Sequence, residues 1–254
     1  MNADHTHRFF VHGESGVHRL APECKLVATL AFVVAVVVTP REVVWAFGLD
    51  AAVLAAVAVI AHVPLRRLLR RLVIEVPFLA FALFLPFIGG GERIDVWFVS
   101  LSEPGLWGAW NIVVKATLGV AATALLGATT TVPELLRALE RLRLPRPLVA
   151  ITSFMVRYGD LLVDDMRRMK IARESRGYDG RWLWQARAVA ATAGTLFIRA
   201  YERGERVYIA MLSRGYGGSL PAAETKAAAS LEWAKALTAP LAATLICVTA
   251  VVAP

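Results

Sequence analysis

Two arginines at matching places in a repeated motif carry the clearest chemical signal in this chain. Arg176 lies in SRGYDG (175–180) and Arg214 in SRGYGG (213–218), 38 residues further on. The longer stretches KIARESRGYDG (170–180) and YIAMLSRGYGG (208–218) agree at seven of eleven positions, pairing Ile171 with Ile209 and Tyr178 with Tyr216. A guanidinium is a planar fork that makes two parallel bonds to a carboxylate while its stem buries apolar area. Ser175-Arg176-Gly177 and Ser213-Arg214-Gly215 therefore read as one docking tip written twice. Ile171, Ile209, Tyr178 and Tyr216 support the helices that carry it. An arginine and a glycine at a helix end can also be no more than a C-terminal cap. Duplication argues for more, because two like tips suit a partner with two equivalent sites.

The rest of the chain offers little chemistry of its own. It has no G-x-x-x-x-G-K-[ST] phosphate loop, and GGGERID at 89–95 lacks the lysine. Cys24 and Cys247 are too far apart for a disulfide framework or a paired-cysteine metal site. His5, His7, His12 and His18 cluster near the start and could touch one ion, but the expectation is no metal site and no cofactor bound by this chain. Asp160, Asp164 and Asp165 are a faint version of a carboxylate site for a membrane enzyme. They lie among arginines, with Arg168 one helical turn beyond Asp164, so a solvated, salt-bridged face is the stronger reading. A protein that only recruits cytosolic partners is a third class. If the chain works in a driven process, another chain supplies the energy, and an ATPase dimer with two grooves fits two arginine tips.

The elements that must position these tips are helices. Apolar residues make up 57% of 254 residues, and the formal net charge is +8. The apolar excess falls into runs, so membrane spans are expected. The spans read as 25–39, 43–61, 73–88, 110–131 and 236–253. The predicted fold is an all-α polytopic membrane protein of about five spans, with counts of four to six compatible with the pattern. Arg66, Arg67, Arg70 and Arg71 fill one short loop without an acid, and Glu75 is close enough to pair with one of them. The loops at 40–42 and 89–109 are poor in cations. By the positive-inside bias, 62–72 is cytoplasmic, the N-terminus is inside and the C-terminus outside. The basic balance then records membrane orientation rather than nucleic-acid binding. Residues 1–24 form a cytoplasmic tail, 25–131 a four-helix membrane region, 132–235 a cytoplasmic helical domain holding both tips, and 236–254 the last span. Within 132–235 a helix starts near Pro133 with Leu135, Leu139 and Leu142 in one stripe, and Pro145 and Pro147 end it.

With these residues in place, the chain resembles the transmembrane T component of energy-coupling factor transporters, in particular the cobalt branch called CbiQ. The resemblance rests on HRLAPECKLVATLAF (18–32), on PRPLVAITSFMVRYGDLLVDDMRRMKIARESRGYDG (145–180) and on the second motif at 213–215, and covers about 15–250. It implies that 175–177 and 213–215 are the arginine-centred motifs of two coupling helices. Serine stands where the commonest form of the motif has alanine. It implies two ABC-type ATPase subunits as partners, which bind the ATP, and a CbiM-like substrate-binding S component in the same membrane. It implies a coupling subunit that is not an enzyme, in a bacterial inner membrane, serving cobalt uptake. Nickel or a vitamin is the alternative cargo.

Overall fold

Helices form wherever the sequence runs apolar or amphipathic without interruption. The computed structural model describes residues 15–88, 90, 93–96, 99–178, 186–217 and 228–252. The tail histidines His5, His7 and His12, together with Gly180 and Gly218 of the repeats, lie outside the described residues. In chain order the elements are α1 (Pro22–Val38), α2 (Val44–Ile60), α3 (Leu65–Leu72), a single 3-10 turn (Val73–Glu75) and α4 (Val76–Ile88). A two-stranded hairpin of β1 (Arg93–Val96) and β2 (Val99–Ser102) follows, then α5 (Glu103–Thr129), α6 (Val132–Arg141), α7 (Arg146–Glu174), α8 (Ala186–Leu212) and α9 (Ser230–Val252). The chain is thus an all-α membrane protein with one small antiparallel hairpin, in which Arg93 pairs with Ser102 and Val96 with Val99. That hairpin falls in 89–109, which the sequence reading leaves as a loop.

Each of the five expected spans corresponds to a helix, but their lengths differ. Among the described residues, α5 and α9, at 27 and 23 residues, are long and apolar enough to cross a bilayer. α1 and α2 have 17 residues each and α4 has 13, against about 20 for a full crossing. The cationic 62–72 loop contains the helix α3, with sequence LRRLLRRL.

The described residues divide into two compact units, 15–138 with 228–252, and 139–178 with 186–217. The core of the first is built from Phe32, Val36, Phe47, Leu54, Leu118 and Leu125. Between them Ala58, Ala122, Ala128 and Ala243 let helix backbones approach. The large side chains of α4 point outward instead, with Phe78, Phe81, Phe84 and Phe87 all exposed, as suits a helix facing lipid.

Polar anchors fix which helix ends lie together in this unit. Lys25, only 7% exposed, donates from Nζ to the carbonyl of His18 at 3.0 Å and to that of Thr129 at 2.9 Å. Arg71 donates to the carbonyl of Ala124 at 2.6 Å. The start of α1, the end of α5 and the arginine-rich α3 are therefore at one end. At the other end Gly105 of α5 lies against Leu85 and Pro86 of α4. Lys115 caps the far end of α1 through the carbonyl of Val37 at 2.7 Å.

Among the described residues three carboxylates are buried in this unit, those of Glu23, Asp50 and Glu75. Glu75 is buried and accepts from the Thr117 hydroxyl at 3.0 Å, so its partner is on α5 rather than among the arginines of α3. The arginine pairing expected from proximity in sequence is not found among the described side chains, where Glu75 bonds to Thr117 instead. Asp50 is fully buried by protein, and neither of its oxygens has a hydrogen-bond partner among the described residues.

α6 opens with one half of a capping box, Glu134 accepting from the Thr131 N–H at 2.8 Å. Its most buried leucine is Leu136, whereas Leu142 of the expected stripe is exposed. The chain leaves α6 through Arg143, in the left-handed region at φ 64°. Pro145 and Pro147 belong to the first turn of α7, where proline is favoured. They start the next helix more than they end the previous one.

Candidate functional site: two arginine-tipped helix ends

Both motifs sit at the C-terminal ends of long helices in the second unit, and both ends are built alike. Arg176 follows α7, and Arg214 follows α8. At the first, the N–H of Gly177 donates to the Glu174 carbonyl at 3.0 Å and that of Tyr178 to the Arg173 carbonyl at 3.2 Å. At the second, the N–H of Gly215 donates to the Leu212 carbonyl and that of Tyr216 to the Met211 carbonyl, each at 3.0 Å. These two bonds define a Schellman cap. It needs a left-handed residue after the arginine, and Gly177 and Gly215 supply it at φ 79° and 81°. No heavy atom lies within 4 Å of where a Cβ would stand on either glycine. Glycine is required there by backbone angle, not by space.

The serines and isoleucines act together. The N–H of Ser175 donates to the Ile171 carbonyl, and its hydroxyl donates to the same oxygen, both at 2.9 Å. Ser213 treats Ile209 identically, at 3.0 Å and 2.9 Å. The hydroxyl is therefore turned back along the helix and leaves the outer face of the tip to the arginine. Arg176 and Arg214 are exposed, as are both glycines, while Tyr178 and Tyr216 are half-buried. A cation at this position also meets the negative end of the helix dipole.

The structure brings the two carrying helices together as an antiparallel pair. Asp165 of α7 and Arg203 of α8 form an ion pair at 2.9 Å. Nearer the first tip, Arg173 donates to the Thr192 hydroxyl at 2.9 Å and lies 5.0 Å from the centre of the Tyr178 ring. Toward the second tip the helices enclose a groove of about 520 Å³, with Phe154, Tyr158, Met211 and Tyr216 in its lining. Since each tip is at the C-terminus of its own helix, antiparallel packing puts them at opposite ends of the pair. At about 1.5 Å of rise per residue, α8 separates them by roughly 40 Å.

The pair is also approximately two-fold. Asp165 and Arg203 are 38 residues apart, the same offset as Arg176 and Arg214. Applying that offset to the Arg173–Thr192 contact gives Met211 and Phe154, which line the same groove. An axis near the Asp165–Arg203 contact therefore relates one tip to the other.

All ten residues singled out from the sequence fall at these two ends. Sequence reasoning missed Arg173 and Arg203 and read Asp165 only as part of a salt-bridged face, although the repeat offset, carried back along α7 and α8, would have paired Asp165 with Arg203. The expected Asp164–Arg168 pair is replaced by a loose one, Arg167 to Asp164 at 3.9 Å. A three-residue step serves as well as four on a helix surface. Asp164 and Asp165 are thus taken up in ion pairs. Among the described residues no group of three or more His, Cys, Asp or Glu side chains could hold a metal ion.

Comparison with known proteins shows sequence similarity to membrane transport proteins. Residues 13–225 match the CbiQ family, described as cobalt transport protein. An energy-coupling factor transporter transmembrane protein EcfT of Bacillus selenitireducens is 29% identical over 225 residues, 82% of each chain. A putative fused cobalt transport protein CbiMQ of Methanocorpusculum labreanum is 26% identical over 145 residues, 55% of this chain and 24% of the relative. An uncharacterized protein of Methanocaldococcus jannaschii is 29% identical over 176 residues, 64% of this chain and 59% of that protein's length.

Proposed function

We propose, from the premise that this chain belongs to the CbiQ family of transport proteins, that it is the coupling subunit of an ATP-driven importer. Each arginine tip seats in a groove of one of two ABC-type ATPase subunits. Binding and hydrolysis of ATP occur on those subunits, and this chain carries no cofactor. Their closing moves α7 and α8, and the displacement passes to a separate substrate-binding membrane subunit. The observation that carries this reading is the pair of identically capped arginine tips related by an approximate two-fold. A dimer of like ATPases presents two equivalent sites related by a two-fold axis, and such sites require matching tips.

Orientation follows from charge in three dimensions. Lys25, Lys235 and the arginines of α3 gather at one end of the first unit. The other end holds Arg41 beside Glu42, with Lys115 and Glu103. The cationic end is cytoplasmic, so the N-terminus is inside, α1, α2, α4, α5 and α9 are the five spans, and the C-terminus is outside. The exposed apolar residues of α7 and α8, Ile151, Met155, Phe197, Ile198, Tyr201 and Tyr208, supply a surface for the membrane partner, a CbiM-like S component. Cobalt is the proposed cargo, supported by the family description and the CbiMQ relative. Relatives named EcfT match more of both chains and carry no cargo in their name, so a coupling subunit serving nickel or vitamin uptake is the second reading.

The test is the double substitution Arg176→Ala with Arg214→Ala in the assembled transporter. Loss of two charge-assisted contacts, each about 1.5–3 kcal/mol, is expected to release the ATPases during purification and to abolish uptake. Each single variant should retain partial assembly. Full retention of both ATPases and of uptake in the double variant would overturn the reading.

A further inference from the structure

The first unit contains a cavity of about 550 Å³ at its cationic end, between α1, α2, α5 and α9. Its inner wall is apolar, with Phe32, Leu54, Leu125, Ala239 and Pro240 among the lining residues. Its polar lining is not neutral. Arg19, Lys25 and Lys235 contribute three cations, and Glu232 one carboxylate. Glu232 is already engaged, accepting the N–H of Ala229 at 3.1 Å at the start of its own helix. The buried Lys25 ammonium gives two of its three hydrogens to the carbonyls of His18 and Thr129. Lys235 has no side-chain partner among the described residues and is exposed.

An apolar slot with a cationic mouth at the inner end of a membrane bundle has the chemistry of one ligand class. We infer that this cavity is a binding site for an anionic phospholipid. One acyl chain lies along Phe32 and Leu125, and the phosphate meets Lys235, Arg19 and the remaining N–H of Lys25. Basic pockets between membrane helices on the cytoplasmic side recognise acidic head groups in this way. A free inorganic anion would leave the apolar wall uncovered, and a zwitterionic lipid would bring its own cation to a mouth already positive. The inference goes beyond the coupling reading, resting on it only for the leaflet that supplies the lipid, and its test has no ATPase or transport readout.

The full-length chain, delipidated in a non-ionic detergent, is exposed to dioleoylphosphatidylglycerol, dioleoylphosphatidylcholine or glycerol 3-phosphate and examined by native mass spectrometry. One phosphatidylglycerol per chain should be retained, about tenfold tighter than phosphatidylcholine, and glycerol 3-phosphate should not compete. Arg19→Ala with Lys235→Ala, both at exposed positions, should remove the preference while keeping the elution volume. Ala239→Trp, which fills the slot, should lose the retained lipid of either kind. Equal retention of the two lipids, an unchanged preference in the double variant, or displacement by glycerol 3-phosphate would each overturn the assignment. So would cross-linking of an Ala239→Cys variant to a protein neighbour in complexes isolated from membranes, which would make the slot a protein seat.

Discussion

At the scale of single residues, the tips depend on a backbone angle as much as on a charge. Arg176 and Arg214 are aimed by Schellman caps whose left-handed residues are Gly177 and Gly215. A Cβ there meets no neighbour, so Gly177→Ala or Gly215→Ala should cost only the left-handed penalty, about 1 kcal/mol. The expected phenotype is a chain that folds and inserts but holds its ATPase more weakly, read as ATPase recovered per chain after detergent washing. Asparagine, which tolerates this region better, should be milder than alanine. The serines predict a different outcome. Their hydroxyls return to Ile171 and Ile209, so Ser175→Ala and Ser213→Ala should leave ATPase recovery unchanged. The arginines, glycines and tyrosines of the tips were legible in the sequence because the cap has a fixed local signature. Arg173 on Tyr178 was not, since its counterpart in the second copy is Met211 and the repeat does not mark it.

At the scale of elements, helix positions were readable from apolar runs, whereas their ends and partners were not. Glu75 lies four residues from Arg71 in sequence, yet it bonds to Thr117 across the bundle. Pairing of this kind is set by the rotation of one helix against another, which no local pattern encodes. The hairpin at 93–102 escaped for a related reason: two four-residue strands give too few alternations to separate from a loop. Helix contact does yield a sharp expectation at Gly105. A Cβ there would stand 2.6 Å from the Leu85 carbonyl oxygen and 2.9 Å from the Pro86 Cα, both backbone atoms that cannot swing aside. Gly105→Ala should therefore force α4 and α5 apart and destabilise the first unit by about 1–3 kcal/mol. That would be measured as a lower midpoint in thermal unfolding of the purified chain. An unchanged midpoint would show that α4 and α5 do not pack through this glycine.

At the scale of the whole molecule, the account divides the work between two units. One is a bundle held by apolar packing, with Lys25 and Arg71 tying helix ends at its cationic end. The other is a stiff helix pair that carries two matched handles. Under the proposed coupling, the approximate two-fold of this pair accounts for one motif being written twice. The measurement that bears most directly on this is photo-cross-linking in the assembled transporter, with a benzophenone amino acid in place of Arg176, of Arg214 or of both. The account predicts that each single position captures an ATPase subunit from the cytoplasmic side and that the double substitution captures two per chain. Capture of lipid alone, or of an ATPase at only one of the two positions, would contradict it.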